Sequence, residues 1–189
     1  VVDEVLHDRV NPRVVEAINA SGGRAAPVSG KGILRAERLE SEVDLGHVGH
    51  VTGVEVAELE GLLSSNQVPV VTPLAIDAAG AVYNINADVS ACRLAEALRA
   101  AKLVFLSDVP GVLRDAADPS TLISTIHTDE VAGLIADGVI SGGMRPKVES
   151  AVAALAAGCG QVHMIDARLQ HSVLLEIFTD KGVATQLIG

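Results

Sequence analysis

The stretch KLVFLSDVPGVL, residues 102–113, decides the fold. From Leu103 to Leu106 every position is apolar, with no alternation. A strand of that kind is buried on both faces, as in parallel sheets covered by helices. Pro110-Gly111 then forces a turn at the strand's end. Taken alone, such a segment also fits an ordinary strand-to-loop turn.

Working outward, helical and strand-like patterns alternate. Downstream, DEVAGLIADG (129–138) reads as a helix closed by Gly138. Gly142-Gly143 precede a second helix, MRPKVESAVAALAAG (144–158), closed by Gly158. QVHMID (161–166) is a strand, HSVLLEIFTDKG (171–182) a helix ended by Gly182, and VATQLI (183–188) a final strand. Upstream, Pro12 to Ala20 reads as a helix with Asn11 as N-cap and Pro12 at its first position. Gly22-Gly23 end it, and AAPVSG (25–30) looks like a short strand. Glu55 to Ser65 has helical spacing, and VPVVTPLAI (68–76) reads as one buried strand. A turn at Asp77–Gly80 returns the chain through AVYNIN (81–86) as a hairpin. A helix follows from about Asp88 to Ala101, with Leu94, Ala95 and Leu98 on one face. The alternation predicts an α/β fold: a three-layer α/β/α arrangement around an open, mainly parallel sheet.

Composition agrees. Of 189 residues 49% are hydrophobic but only 2% aromatic, so the core must be built from Val, Leu, Ile and Ala. The formal net charge of -10 argues against nucleic acid and against an anionic membrane surface. It leaves room for a phosphate ligand, which needs only local N–H groups and a cation or two. Cys92 and Cys159 make no disulfide framework, and a reducing cytoplasm is the simplest expectation. No apolar run approaches the length of a membrane-spanning helix. VVDEVL opens the chain in helix-like sequence without Met, so further chain is expected upstream.

Chemistry is expected beyond the carboxyl ends of the strands. Three segments fall there. Ser107 to Leu113 leaves the strand already quoted. In ISGGMRPK (140–147) two glycines let backbone N–H groups approach a ligand, and Pro146 belongs in a helix's first turn. Lys147 therefore lies near a helix N-terminus, where a cation is unfavourable unless an anion sits between it and the N–H groups. Arg145 adds a second cation; the plainer alternative is an exposed lysine. In NINAD (84–88), Asp88 is either an N-cap or a buried carboxylate that positions lysines, and Asn84 is a candidate amide donor. His47 and His50 lack partners at zinc-like spacing, so no metal centre is expected. SGKG (29–32) lacks the Lys-Ser/Thr of a P-loop.

In this order and spacing, these segments resemble the amino acid kinase family, and within it the branch that acts on N-acetyl-L-glutamate. DLGHVGHV (44–51), YNINAD (83–88), KLVFLSDVPGVL, DPSTLI (118–123), GVISGGMRPKVE (138–149), IDARLQHSVLLEIFTD (165–180) and the closing GVATQLIG carry the likeness. It implies transfer of the γ-phosphoryl group of ATP, with Mg²⁺, to the γ-carboxylate of N-acetyl-L-glutamate. The product would be N-acetyl-L-glutamyl 5-phosphate, in arginine biosynthesis. By position, Asp88 would organise catalytic lysines, Lys147 would stabilise the transferring group and Asn84 would hold the acetylated amino acid. Ser107, Asp108, Val109, Pro110, Gly111, Val112 and Leu113, with Val139, Ile140, Ser141 and Gly143, would line the ATP site. The family also implies a homo-oligomer and, in many members, feedback inhibition by arginine near the last helix, where His171, Glu176 and Gly182 fall.

The likeness departs at the front. The family opens with a Lys-x-Gly-Gly strand, a His-Gly-Gly-Gly loop and a substrate-reading Arg, none of which is present. The chain thus resembles the C-terminal two-thirds of such an enzyme. Residues 1–189 would form a single domain, mostly the nucleotide-binding lobe, with 1–90 including the rest of the amino-acid lobe. A partner lysine is expected upstream. Arg145 stands where an apolar residue is usual, and Ala167 and Ala184 where Gly is usual; SGKG is also short. A non-catalytic nucleotide-binding or regulatory module derived from such a kinase is the alternative.

Overall fold

The computed structural model describes residues 1–178 and 184–189. The chain divides into two compact units, Val1–Leu94 and Ala95–Gly189.

The first unit opens with one long helical run. It comprises α1 (Val2–Glu4), a π-helical stretch (Val5–Val10) and α2 (Asn11–Ala20). Asn11 is therefore not an N-cap: it lies inside the run in helical conformation, and its N–H bonds back to the Leu6 carbonyl. Pro12 brings no N–H, and the widened π turns just before it let the helix pass the ring without a break. The Asn11 side chain is buried and its Nδ2 donates to the Val70 carbonyl at 2.7 Å. Asn11→Ala should cost about 0.5–1.5 kcal/mol, the net contribution of one such hydrogen bond. Urea unfolding measures this, and a loss below about 0.5 kcal/mol would contradict it.

The unit continues with β1 (Ala25–Val28), α3 (Gly30–Ile33), β2 (Leu34–Arg38), β3 (Gly49–Val54), α4 (Ala57–Ser64), β4 (Val68–Val71), β5 (Leu74–Ile76), β6 (Val82–Asn84) and α5 (Ala87–Ala97). β1 and β4 pair in parallel as a two-stranded sheet. The second sheet has the order β3-β2-β5-β6. VPVVTPLAI is thus two strands in two sheets, not one. Pro73 supplies no N–H for a ladder, and the break falls at Thr72-Pro73. β4 is half-exposed, whereas Leu74 and Ala75 of β5 are fully buried. The expected hairpin is present: β5 and β6 are antiparallel, and Asp77 accepts the Ala79 and Ala81 N–H groups at the turn. The strands β2 and β3, an antiparallel pair, gave no clear sequence pattern.

The second unit contains β7 (Lys102–Ser107), a 3₁₀ turn (Pro119–Thr121), β8 (Thr125–His127), α6 (Val131–Ala136), α7 (Met144–Ala156), β9 (Gln161–Asp166), α8 (Ser172–Phe178) and β10 (Thr185–Ile188). Its sheet has the order β7-β9-β10-β8, with β7/β9 and β8/β10 parallel and β9/β10 antiparallel. Val162, Met164 and Ile165 of β9 are buried, with Leu103 and Phe105 beside them on β7. Val148, Ala151 and Ala154 form the buried stripe of α7, which packs on β9. Their spacing of three keeps them on one helical face, and two alanines let the helix approach the sheet closely. Four of the seven strand pairings among the described residues are parallel, so the α/β class and the mainly parallel character hold. Among the described residues the expected single sheet appears as three.

Candidate active site

In the second unit, β7 and β9 end side by side, with Ser107 opposite Asp166. The Ala167 N–H donates to the Ser107 carbonyl at 2.8 Å, tying the two strand ends together. From there the chain runs through Asp108 to Leu113. Gly111 has φ of +135°, a conformation that favours glycine. Val112 is buried, and its N–H donates to the Thr185 hydroxyl at 2.8 Å. That hydroxyl donates in turn to the Ile123 carbonyl at 2.8 Å. Thr185 on β10 is fully buried and anchors the loop from 73 residues away. Nothing in the local sequence pointed to it, because its role exists only where β10 passes beneath the loop.

A cleft of about 260 Å³ opens against this loop. Val109, Pro110, Gly111, Val112 and Leu113 line it, together with Val139, Ser141 and two residues not named from sequence, Ala116 and Met144. Two segments far apart in sequence, 109–116 and 139–144, thus meet at one cleft. Ser107, Asp108, Ile140 and Gly143 do not line it; Ile140 is buried in the core.

Gly143 is the N-cap of α7 and offers no side-chain cap, and no acidic residue sits in the helix's first turn. A Cβ placed on Gly142 or Gly143 would meet nothing within 4 Å, so this backbone is open to an approaching ligand. The first turn of α7 thus supplies no anion of its own to the helix's positive end, which suits an anionic ligand. Lys147 is the fourth residue of α7. It is half-buried, with Nζ 5.4 Å from the centroid of the buried Phe105 ring. It is not the exposed surface lysine of the plainer reading. Arg145 is turned to Glu149 one turn along, at 2.8 Å, and is not a second cation directed at the cleft.

Asp166 holds Arg168 through both carboxylate oxygens, at 2.9 and 2.8 Å, and accepts its backbone N–H at 2.9 Å. The guanidinium, and after it that N–H, hold the Asp166 carboxyl at about 2, against an ordinary 3.8. A folded-state value below the ordinary one means a contribution intact above it and lost as pH falls toward 2. Carboxyl-carbon NMR should find Asp166 ionised at about pH 3, and Arg168→Ala should move its midpoint upward. A midpoint unmoved by that change would remove the pair as the cause. On α8, Glu176 is buried with Oε1 2.7 Å from His163 Nδ1 of β9. His171 is exposed just before that helix, and Gly182 lies outside the described residues.

In the first unit, Asn84 is the last residue of β6. Its N–H donates to the His47 carbonyl at 2.8 Å, and Val48 bridges it in parallel. A cleft of about 420 Å³ is lined by Asn84 with Leu45, His47, Val48, Leu74 and Val82, and by Val1–Asp3. Among the described residues no hydrogen bond engages the Asn84 carboxamide. A carboxamide among aliphatic walls suits a small ligand with an amide or carboxylate and a short apolar part. Asn86 caps α5: its Oδ1 accepts from the Asp88 and Val89 N–H groups at 2.9 and 3.2 Å. Asp88 is therefore not the N-cap. It is the second helical residue, half-buried. Asn and Asp are equally good caps, so sequence alone had no means of choosing between positions two apart. Among the described residues no three His, Cys, Asp or Glu side chains gather as a metal site, and no helix is long and apolar enough to cross a membrane.

The amino acid kinase family model matches residues 2–166. The chain belongs to the amino acid kinase family. The acetylglutamate kinase of Heliobacterium modesticaldum is 45% identical, over all of this chain and 68% of the relative. The chain spans 64–68% of the length of three such acetylglutamate kinases. The solved structure of smu.665 from Streptococcus mutans matches with a TM-score of 0.81 at 30% identity, covering 98% of this chain and 69% of that one. N-acetylglutamate synthase from Neisseria gonorrhoeae, solved with coenzyme A and N-acetyl-glutamate, matches with a TM-score of 0.82 at 26% identity, covering 96% of this chain and 42% of that one. The fold of an amino acid kinase therefore accounts for both units.

Proposed function

We propose that the protein containing this chain transfers the γ-phosphoryl group of ATP to the γ-carboxylate of N-acetyl-L-glutamate, a step of arginine biosynthesis. The observation that carries this is the 45% identity to an acetylglutamate kinase along the whole chain. The two clefts support it: one holds Asn84, which the resemblance assigns to the amino acid, and the other is lined mostly by residues it assigns to ATP.

A carboxylate nucleophile is already ionised, so the reaction needs no general base. Its obstacle is that one anion must approach another. Cations and N–H groups must neutralise the phosphoryl oxygens and hold both reactants in line. The apolar cleft of Val109, Pro110, Val112, Leu113, Val139 and Met144 suits the base of ATP. Ser107, Asp108, Gly111, Ile140, Ser141 and Gly143 are assigned to ATP with them. The open glycines and uncapped start of α7 suit its phosphates, and Lys147, one turn inside, would stabilise the transferring group. Asp88 would orient the lysines, and Asn84 would hold the acylated amino group. Mg²⁺, when bound with ATP, would supply further neutralisation of the phosphates. A cytoplasmic homo-oligomer sensitive to arginine is part of the same proposal. It draws on the gonococcal synthase, also solved with coenzyme A and L-arginine.

The test uses the full-length protein with ATP–Mg²⁺ and a panel of N-acetylglutamate, glutamate, aspartate and carbamate. ADP release should depend on N-acetylglutamate. Turnover of another acceptor in preference to it would overturn the substrate, and ATP binding without any turnover would favour a regulatory module.

A further inference from the structure

The sheet that carries Asn84 has a second polar feature on its opposite face. Alternation along β6 places Val82 and Asn84 on the side of the cleft and Tyr83 on the other. On that other side a smaller cleft is lined by Arg38, Asp44, Gly46, His47 and Tyr83. His47 lines both clefts, so the turn from Asp44 to His47 wraps the end of the sheet.

This turn is held at its start. Asp44 Oδ1 accepts from Arg38 Nη2 at 2.6 Å and from the Gly46 N–H at 2.8 Å. Arg38 is the last residue of β2, so the ion pair ties the turn to the sheet. At the turn's end the His47 carbonyl accepts the Asn84 N–H at 2.8 Å. The His47 ring leans on Tyr83, with centroids 6.1 Å apart. Gly49 packs against Tyr83 so closely that a Cβ there would lie 2.8 Å from Tyr83 Cβ. A continuous chain of contacts therefore runs from Arg38 through Asp44 and His47 to Asn84.

We propose that Asp44 is a positioning residue for the acyl amino acid, fixing the 44–47 turn so that His47 holds Asn84 in the geometry that receives the substrate. The inference rests on the proposed reaction and extends it to a residue that does not line the Asn84 cleft. The Asp44 carboxyl is lowered from its ordinary value, first by the Gly46 N–H and then by Arg38. The latch is thus intact at neutral pH. Arg38 and Asp44 are both solvent-exposed, so its weight is modest. A modest shift suffices here, because a small misplacement of a binding group weakens one substrate without touching the other.

The test compares Asp44→Ala, Asp44→Asn and Arg38→Gln in the full-length protein. Asp44→Ala should raise KM for N-acetylglutamate about fivefold, while kcat and KM for ATP stay within about twofold. Asp44→Asn keeps an oxygen for the Gly46 N–H and should raise it less. Combining Arg38→Gln with Asp44→Asn should be no worse than the stronger single change. Amide hydrogen exchange gives a readout independent of turnover. The Asn84 N–H should exchange about tenfold faster in Asp44→Ala, while the Ile85 N–H, which donates to the Pro73 carbonyl at 3.0 Å, keeps its rate. An unchanged KM beside an unchanged Asn84 exchange rate overturns the inference, as does a parallel fall of kcat and thermal stability. A parent protein with no N-acetylglutamate turnover overturns the proposed reaction instead, and the exchange rates then decide the positioning role alone.

Discussion

Lys147→Ala should lower N-acetylglutamate-dependent ADP release about 10²- to 10³-fold in the full-length protein. That is the usual loss when one preorganised donor to a developing charge is removed. The position of Lys147 favours such a role. It is one turn into a helix whose start carries neither a side-chain cap nor an acidic residue. A cation there is unfavourable until an anion arrives between the ammonium and the helix end. The contact of the ammonium with the Phe105 ring contributes about 0.5–1 kcal/mol to folding at such a half-exposed site. Thermal unfolding measured beside the assay separates the two effects. Full turnover by a folded Lys147→Ala protein would sink the catalytic assignment.

The largest loss of stability is expected from Gly111→Ala. With φ at +135°, any side chain is strained by about 1–3 kcal/mol. The new Cβ would also lie 2.5 Å from the Thr185 hydroxyl and 3.0 Å from both the Thr185 nitrogen and Leu122 Cδ1. Thr185 has no room to retreat, since its hydroxyl is committed to the Val112 N–H and the Ile123 carbonyl. Breaking those bonds adds about 1–3 kcal/mol, for a total of roughly 3 kcal/mol or more. Urea unfolding should show this, with ATP affinity falling in step because the loop lines the cleft. A loss under about 1 kcal/mol would mean that the loop relaxes without disturbing Thr185.

The elements that were legible had strong local codes. KLVFLSD follows from an unbroken apolar run, QVHMID from a short, largely apolar stretch between Gly160 and Asp166, and the helix at 144–156 from threefold spacing. Errors came where two signals competed locally. Asn11 beside Pro12 resembles a helix start, yet the π turns carry the helix through both. VPVVTPLAI resembles one strand, yet its proline divides it between two sheets. The strands β2 and β3 are amphipathic only in part and pair across a long connection, so their pattern is weak without the partner.

From sequence alone came the α/β class, the family, and the order of NINAD, SDVPGVL and GGMRPK that names Asp88 and Lys147. These depend on residue type and spacing, which a chain carries whatever its fold. Tertiary structure decided which of these residues serve the scaffold. It made Asn86 the cap and released Asp88 from that role, and it set Lys147 against Phe105. It turned Arg145 to Glu149, and anchored the SDVPGVL loop on Thr185. Each of those outcomes depends on a partner in space, and a hydrogen bond spanning 73 residues leaves no trace in local sequence.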